Sequence, residues 1–149
     1  MDKLESGSEN YNTDNNFYRI DTSENVDNWC MFWKLSSMRC FHSVVSTSIM
    51  DFYSSIGQTR DVASRMETKV YPLRSLFSVK YYFNELTESE RKGITEVSKP
   101  ETLANLYGFE YVDTQNGFNI YENKYYVPMG FTYDYYCLDS DIQLSLIHI

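Results

Sequence analysis

The sequence has little basic charge and no long apolar run. Lys and Arg number 13 against 21 Asp and Glu, which gives a formal net charge of −8. A protein that binds nucleic acid needs a Lys/Arg patch to displace counterions from phosphates, so this balance excludes nucleic acid as a partner. No stretch reaches the roughly 18 apolar residues of a membrane-spanning helix, and the polar start Met1–Glu5 lacks the apolar core of a signal peptide.

Cysteine and histidine are also scarce. Cys30, Cys40 and Cys137 form an odd set without a CxxC pair, which favours free buried thiols over a disulfide framework. The acidic residues lack metal-ligand spacing, so we expect no metal site. The six glycines are dispersed, so we expect no glycine-rich phosphate loop, and we expect no cofactor. Cys40 and His42 lie two residues apart on a predicted strand, so their side chains share a face. A nucleophile–base pair is therefore one alternative, and with it the function of a small cysteine hydrolase. A structural pair is the favoured interpretation, because no orienting third group is evident.

Aromatic residues are abundant, at 17% of the chain, and 14 of them are Tyr. Leu, Ile, Val and Phe number 36, enough apolar side chain for a folded core. Tyr offers an apolar body with a polar tip, and clusters at 81–83, 125–126 and 133–136 could stack on sugar rings. Because neighbouring residues on a strand point to opposite faces, about half of each cluster must belong to the core. Core plus ordinary surface is therefore the favoured interpretation of these clusters.

Composition divides the chain into three parts. Residues 1–16 are polar and acidic, which predicts a disordered lead-in or linker. Residues 17–138 form the predicted domain, and residues 139–149 form a tail. Within that tail, Leu144–Ile149 matches the translated end of the transposon that is used to prepare sequencing libraries. We interpret residues 144–149 as read-through of a sequencing adapter, so that His148 carries no function.

Local patterns predict an α/β chain, of the mixed α+β kind, with a single mixed β-sheet of about five strands and a few short helices packed on it. Apolar residues at i, i+3, i+4 and i+7 predict a helix over Ser46–Gly57, and prolines at the start predict short helices over Pro72–Phe77 and Pro100–Gly108. Asn116-Gly117 supplies the positive φ angles of a two-residue hairpin turn. The predicted strands are Phe17–Asp21, Arg39–Val45, Val79–Phe83, Phe109–Thr114, Phe118–Glu122 and Tyr125–Tyr133.

Four stretches, in this order and spacing, resemble the extracytoplasmic domain of the YfhO family of bacterial multi-pass membrane proteins. They are Phe17–Asp21, Phe41–Ser43 with the following Ser46, Leu76–Tyr82, and Tyr121–Phe131. The resemblance covers roughly residues 17–136, most of the chain. The candidate binding residues are five positions within these stretches and one tyrosine beyond them: Arg19, His42, Lys80, Tyr81, Tyr126 and Tyr133.

The resemblance implies a parent protein that is similar to membrane glycosyltransferases using lipid-linked sugars and that glycosylates an envelope polymer such as lipoteichoic acid. It implies the cell membrane as the location, with this domain on the extracytoplasmic face. Catalytic acids in such enzymes lie in a membrane-proximal loop with no counterpart here, so no catalytic residue is carried over. The implied partners are the transmembrane part of the parent and an envelope polysaccharide or lipid-linked sugar. The alternative is a stand-alone module that binds a glycan or a protein through its tyrosines.

Overall fold

The computed structural model describes residues 17–23, 26–93, 106–129, 132, 134 and 135. These residues form one mixed sheet of four strands, with helices between them. In chain order the elements are β1 (Arg19–Thr22), α1 (Trp29–Phe32), α2 (Thr47–Ser55), α3 (Tyr71–Leu76), β2 (Val79–Glu85), α4 (Glu88–Arg91), β3 (Phe109–Gln115) and β4 (Phe118–Asn123). The strand order is β1-β2-β4-β3, in which β1 and β2 are parallel and the other pairs are antiparallel. The predicted mixed sheet with short helices is confirmed.

Each face of the sheet carries its own apolar cluster. On the first face, side chains of β1, β2 and β4 pack with residues in and after α1; the buried members are Tyr18, Ile20, Val26, Cys30, Phe83, Phe118 and Ile120. The ring centre of Trp33 lies 6.3 Å from that of Phe83 and 5.4 Å from that of Phe118. The second face carries Val79, Tyr82, Leu106, Phe109 and Tyr121, with Phe77 packed against them. Strand alternation between two buried faces explains why β4 is buried along most of its length.

A buried ion pair joins β1 to α3 on the second face. Arg74 Nε lies 2.9 Å from Asp21 Oδ2, and the two side chains are 0% and 2% exposed. The guanidinium also donates to the carbonyl oxygens of Met66 and Glu67, both at 2.8 Å. Arg39 approaches the other oxygen of Asp21 at 3.4 Å. The carboxylate and guanidinium are thus hydrogen-bonded on several sides, which a buried charged group requires.

Several local predictions are confirmed. Helix α2 lies within the predicted span and ends before Gly57, whose φ of 68° is the left-handed value expected there. Pro72 lies in the first turn of α3. The β3–β4 hairpin turns at Asn116 and Gly117, with φ angles of 51° and 84°. The turn therefore has the two positive φ angles that Asn-Gly predicts.

Two predicted strands are wrong. In the stretch Arg39–Val45, Phe41 makes a single bridge to Ala63, and Arg39 is instead drawn into the ionic network around Asp21. In the stretch Tyr125–Tyr133, the described residues are a turn and irregular chain. The predicted helix Pro100–Gly108 lies mostly outside the described residues, and its last three residues are not helical. The predicted parts 1–16 and 139–149 also lie outside the described residues.

The buried pair generates a stability prediction. Replacing Arg74 with methionine should lower the free energy of unfolding by about 3–5 kcal/mol, because the carboxylate of Asp21 loses its main counter-ion inside the protein. The control is Arg65→Met, which breaks a pair between an exposed guanidinium and the partly exposed Asp27 and should cost about 1 kcal/mol. Urea denaturation of both variants measures the difference. Equal losses would contradict a structural role for the buried pair.

Candidate functional site

An irregularity at the start of β2 shapes the first candidate site. Arg19 pairs with Val79, but the next residue, Ile20, pairs with Tyr81, so Lys80 is an extra residue in β2. The cluster memberships agree: Val79 and Tyr82 share the second face, which strict alternation would forbid for residues three apart. Such a bulge re-aims the side chains beside it. The bulge therefore sets where the Lys80 side chain points.

The re-aimed ammonium of Lys80 lies among aromatic rings. Its Nζ is 5.4 Å from the ring centre of Tyr18 and 5.3 Å from that of Tyr81. The two rings meet edge to face, with centres 5.5 Å apart. Cation–π attraction at these distances favours a fixed position for the long side chain. We call Tyr18, Lys80, Tyr81 and Tyr126 the lysine–aromatic cluster.

Phe17 links Tyr126 of this cluster to Arg19 at the start of β1. Tyr126 packs against the first-face core, and its hydroxyl donates to the carbonyl oxygen of Phe17 at 2.9 Å. Arg19 donates through Nη1 to the carbonyl oxygen of Phe77 at 2.9 Å, and its guanidinium lies 5.0 Å from the Phe17 ring. Of the six predicted binding residues, the structure thus brings Arg19, Lys80, Tyr81 and Tyr126 to one end of the sheet. Their role in binding stays a prediction.

The remaining two predicted residues do not join them. His42 is exposed, in the segment after α1, where its backbone N–H donates to the carbonyl of Val62. Tyr133 lies outside the described residues. Cys40, the partner of His42 in the hydrolase hypothesis, is half-buried, and its Sγ lies 4.0 Å from Nη2 of Arg60. The predicted strand that would have aligned Cys40 with His42 is absent from the described fold.

A second group of tyrosines comes together from three distant parts of the chain. Tyr71 begins α3, Tyr107 precedes β3, and Tyr125 follows β4. The ring centres of Tyr71 and Tyr107 are 5.1 Å apart, and those of Tyr107 and Tyr125 are 6.3 Å apart with planes only 19° from parallel. Tyr107 is 63% exposed and Tyr125 54% exposed. A hydrogen bond with Tyr107 raises the pKa of Tyr125. We call these three residues the tyrosine trio.

Buried polar bonds hold Tyr125 of the trio in place. Asn123 donates through Nδ2 to the carbonyl of Val79 at 2.9 Å and to Ser75 Oγ at 3.2 Å, while its Oδ1 accepts from the N–H of Tyr125 at 3.0 Å. Gly108 has a φ of 82°, and a Cβ there would meet the Tyr125 ring at 2.5 Å. Only glycine lets the ring lie this close to the backbone without strain. The ring of Tyr125, on which Tyr107 stacks, is therefore held in place by the fold.

An apolar patch is exposed elsewhere on the surface. We define it as Met31 and Phe32 of α1 with Phe41 and Val44 of the following segment, which are 63%, 71%, 47% and 88% exposed. Two hydrogen bonds join the side chain of Asn28, at the start of α1, to the backbone of Phe41. These bonds hold Phe41 close to the start of α1. Exposed apolar side chains that adjoin one another are typical of surfaces that meet a protein or a membrane.

Comparison with known proteins decides the family. A family model described as bacterial membrane protein YfhO matches residues 1–146. The chain belongs to the YfhO family. Family membership supports an association with the membrane, and it confirms the resemblance seen in the four sequence stretches. No curated protein and no solved structure matches the chain.

The described part of this YfhO family member contains neither a metal cluster nor a spanning helix. Within residues 17–23, 26–93 and 106–129, no three His, Cys, Asp or Glu side chains are grouped as metal ligands. No helix in the same part of the chain is long and apolar enough to cross a bilayer.

Nothing in the sequence indicates the tyrosine trio. Tyr71 and Tyr107 each stand alone in the sequence, and no local pattern links them. Tyr125 belongs to the pair Tyr125-Tyr126, which points to neither of the other two residues. The Tyr107-Gly108 pair is the nearest approach to a signal, since a glycine after an aromatic residue is consistent with close ring packing, but it is common in turns.

The thiol of Cys30 generates a pH prediction. Burial raises its pKa from 9.0 to about 11. The folded chain keeps this proton when the unfolded chain has lost it, so stability should fall as the pH rises from about 9 to about 11, by up to about 1.4 kcal/mol per pH unit.

Urea denaturation between pH 8 and pH 11 measures this fall, and Cys30→Ala should make it shallower. Burial also raises the pKa of Tyr121 to about 12, so part of the loss above pH 10 will remain in the variant. An unchanged slope in Cys30→Ala would contradict the assignment to this thiol.

Proposed function

We propose that the chain is a non-catalytic extracytoplasmic domain of a membrane glycosyltransferase-like protein that acts in glycosylation of a cell-envelope polymer of the lipoteichoic acid type. The exposed apolar patch is the observation that carries this proposal. Phe32 and Val44 leave most of their apolar surface in water, which is unfavourable unless another surface covers them. In a family of membrane proteins, the transmembrane part of the parent is the natural partner for that surface.

The buried charged groups and the buried thiol of the described residues have structural roles, which supports a non-catalytic domain. Asp21 pairs with Arg74 and Arg39 in the interior, and Arg39 also approaches Asp27 at 3.6 Å. Burial raises the pKa of the Cys30 thiol from 9.0 to about 11, which disfavours the thiolate. A catalytic thiol needs the opposite shift, since the thiolate is the nucleophile.

The resembling stretches meet in one part of the fold, which supports the proposal that they belong to a single domain. Three of those stretches, which contribute Tyr18, Lys80, Tyr81 and Tyr126, meet in the lysine–aromatic cluster. Residues that are far apart in sequence thus converge in one part of the fold.

A second candidate function, a stand-alone glycan- or protein-binding module, is favoured by the exposed tyrosine trio. The two candidates differ in whether the intact gene encodes transmembrane helices beside this domain.

The side of the membrane can be tested in intact cells. In the full-length parent, a Tyr135→Cys variant places a thiol at a position that is 92% exposed. A membrane-impermeant maleimide should label it without permeabilisation, because the domain faces outward. The parent without the new cysteine corrects for native thiols. Labelling that appears only after permeabilisation would place the domain in the cytoplasm and overturn this part of the proposal.

The role in glycosylation can be tested in a strain that depends on the parent. Phe32→Glu with Val44→Glu should lower the hexose content of the purified lipoteichoic acid several-fold, because charges oppose docking of the apolar patch. Tyr135→Glu is the exposed control, and immunoblots of membranes check that each variant is present.

Cys40→Ala and His42→Ala should leave the hexose content within about twofold, whereas removing a catalytic nucleophile or base costs about a hundredfold or more. A loss of that size would contradict a non-catalytic domain.

A further inference from the structure

We infer that the tyrosine trio is a carbohydrate-binding platform that takes a neutral hexopyranose ring. This inference deepens the proposed function by naming a ligand class, and it depends on that function only for the source of the sugar. Its basis is the arrangement of Tyr71, Tyr107 and Tyr125, which exposes large aromatic surface at fixed positions. A pyranose ring presents axial C–H groups on one face, and these pack well on the electron-rich face of an aromatic ring.

Preorganisation distinguishes the trio from scattered surface tyrosines. Tyr125 is held by the bonds of buried Asn123 and by its close packing on Gly108. Tyr71 is held at the start of α3, and Ser75 of the same helix accepts a hydrogen bond from Asn123. Because the ring of Tyr125 loses little freedom on binding, more of its contact energy appears as affinity. Tyrosine suits such a surface, since it offers large contact area at a low entropic cost.

The charges beside the trio favour a neutral ligand over an anionic one. Lys124, which directly precedes Tyr125, lies 3.0 Å from the carboxylate of Glu110. The hydrogen bond with Glu110 raises the pKa of Lys124, so the ammonium remains charged and paired. A phosphate would meet a cation that is already neutralised, in a chain with a net charge of −8. Sugar hydroxyls, in contrast, can bond to a carboxylate, an ammonium and tyrosine hydroxyls alike.

The hexose could reach the platform on a polymer or on a lipid carrier, and the experiment separates these sources. The 149-residue chain is titrated with methyl β-glucopyranoside, methyl α-galactopyranoside and methyl N-acetyl-β-glucosaminide, and the tyrosine ring signals are followed by NMR. Two further probes are poly(glycerol phosphate) with and without hexose substituents, and a polyprenyl-phosphate-linked hexose in detergent micelles. We expect at least one glycoside to shift the signals of Tyr107 and Tyr125. Tighter binding of the substituted polymer or of the lipid-linked hexose identifies the source.

Matched variants make the inference falsifiable. Tyr107→Ala and Tyr125→Ala should each weaken binding about tenfold or more, because each removes one stacking surface. Tyr107→Phe and Tyr125→Phe keep the ring faces and should stay within about threefold of the parent affinity. Tyr135→Ala, at an exposed position outside the trio, is the control and should bind as the parent does. Circular dichroism checks that each variant is folded.

Binding that survives both alanine changes, or no binding of any probe, would overturn the inference. Its failure is distinguishable from failure of the proposed function. Suppose that the alanine variants lose sugar binding, while cells that carry Phe32→Glu with Val44→Glu make a normal lipoteichoic acid. That result supports the platform and contradicts the proposed role. The reverse result, an under-glycosylated polymer without sugar binding, keeps the role and rejects the platform.

Discussion

The ion pair between Asp21 and Arg74 is the interaction on which the arrangement of the fold depends. The parallel pairing of β1 with β2 requires a long crossover between Thr22 and Val79, and that crossover contains three short helices and much irregular chain. Short helices supply little stability of their own. The buried carboxylate of Asp21 receives Arg74 from α3 and Arg39 from the segment after α1, while Arg74 also binds two carbonyl groups of the segment before α3. A buried ion pair gains little net stability over apolar packing, but misplacing either charge is costly. The pair therefore selects one path for the crossover rather than simply adding stability.

Elements with local causes were predictable from the sequence, and elements with distant causes were not. The Asn116-Gly117 hairpin, the strand over Val79–Phe83 and the helix with Pro72 each follow from residues within one element. The supposed strand over Arg39–Val45 failed because Arg39 is bound to Asp21, and the N–H and C=O groups of Phe41 are taken by Asn28. The supposed strand after Asn123 failed for a similar reason, since the Asn123 side chain accepts the N–H of Tyr125. In both places a side chain bonds the backbone that a strand would have needed.

The candidate sites show the same division. The stretches that resemble the YfhO family supplied Arg19, Lys80, Tyr81 and Tyr126, and the structure gathers these four at one end of the sheet. The sequence could not show that Lys80 is an extra residue in β2, because a bulge is defined by the partner strand. Nor could it show the tyrosine trio, whose members are joined only when β4 and α3 are correctly placed.

Asn123 connects the two candidate sites. Its Nδ2 donates to the carbonyl of Val79, the residue before the bulge that aims Lys80 at Tyr18 and Tyr81. Its Oδ1 fixes the N–H of Tyr125 in the tyrosine trio. Asn123 is 4% exposed, so these bonds are made away from water, where leaving any of its polar atoms unpaired would be costly. The position of the trio is thus tied to the backbone that shapes the lysine–aromatic cluster. Asn123 bonds both the N–H of Tyr125 and the carbonyl of Val79 in β2. A ligand that contacts Tyr125 would therefore contact a residue that is linked to β2 through one side-chain amide.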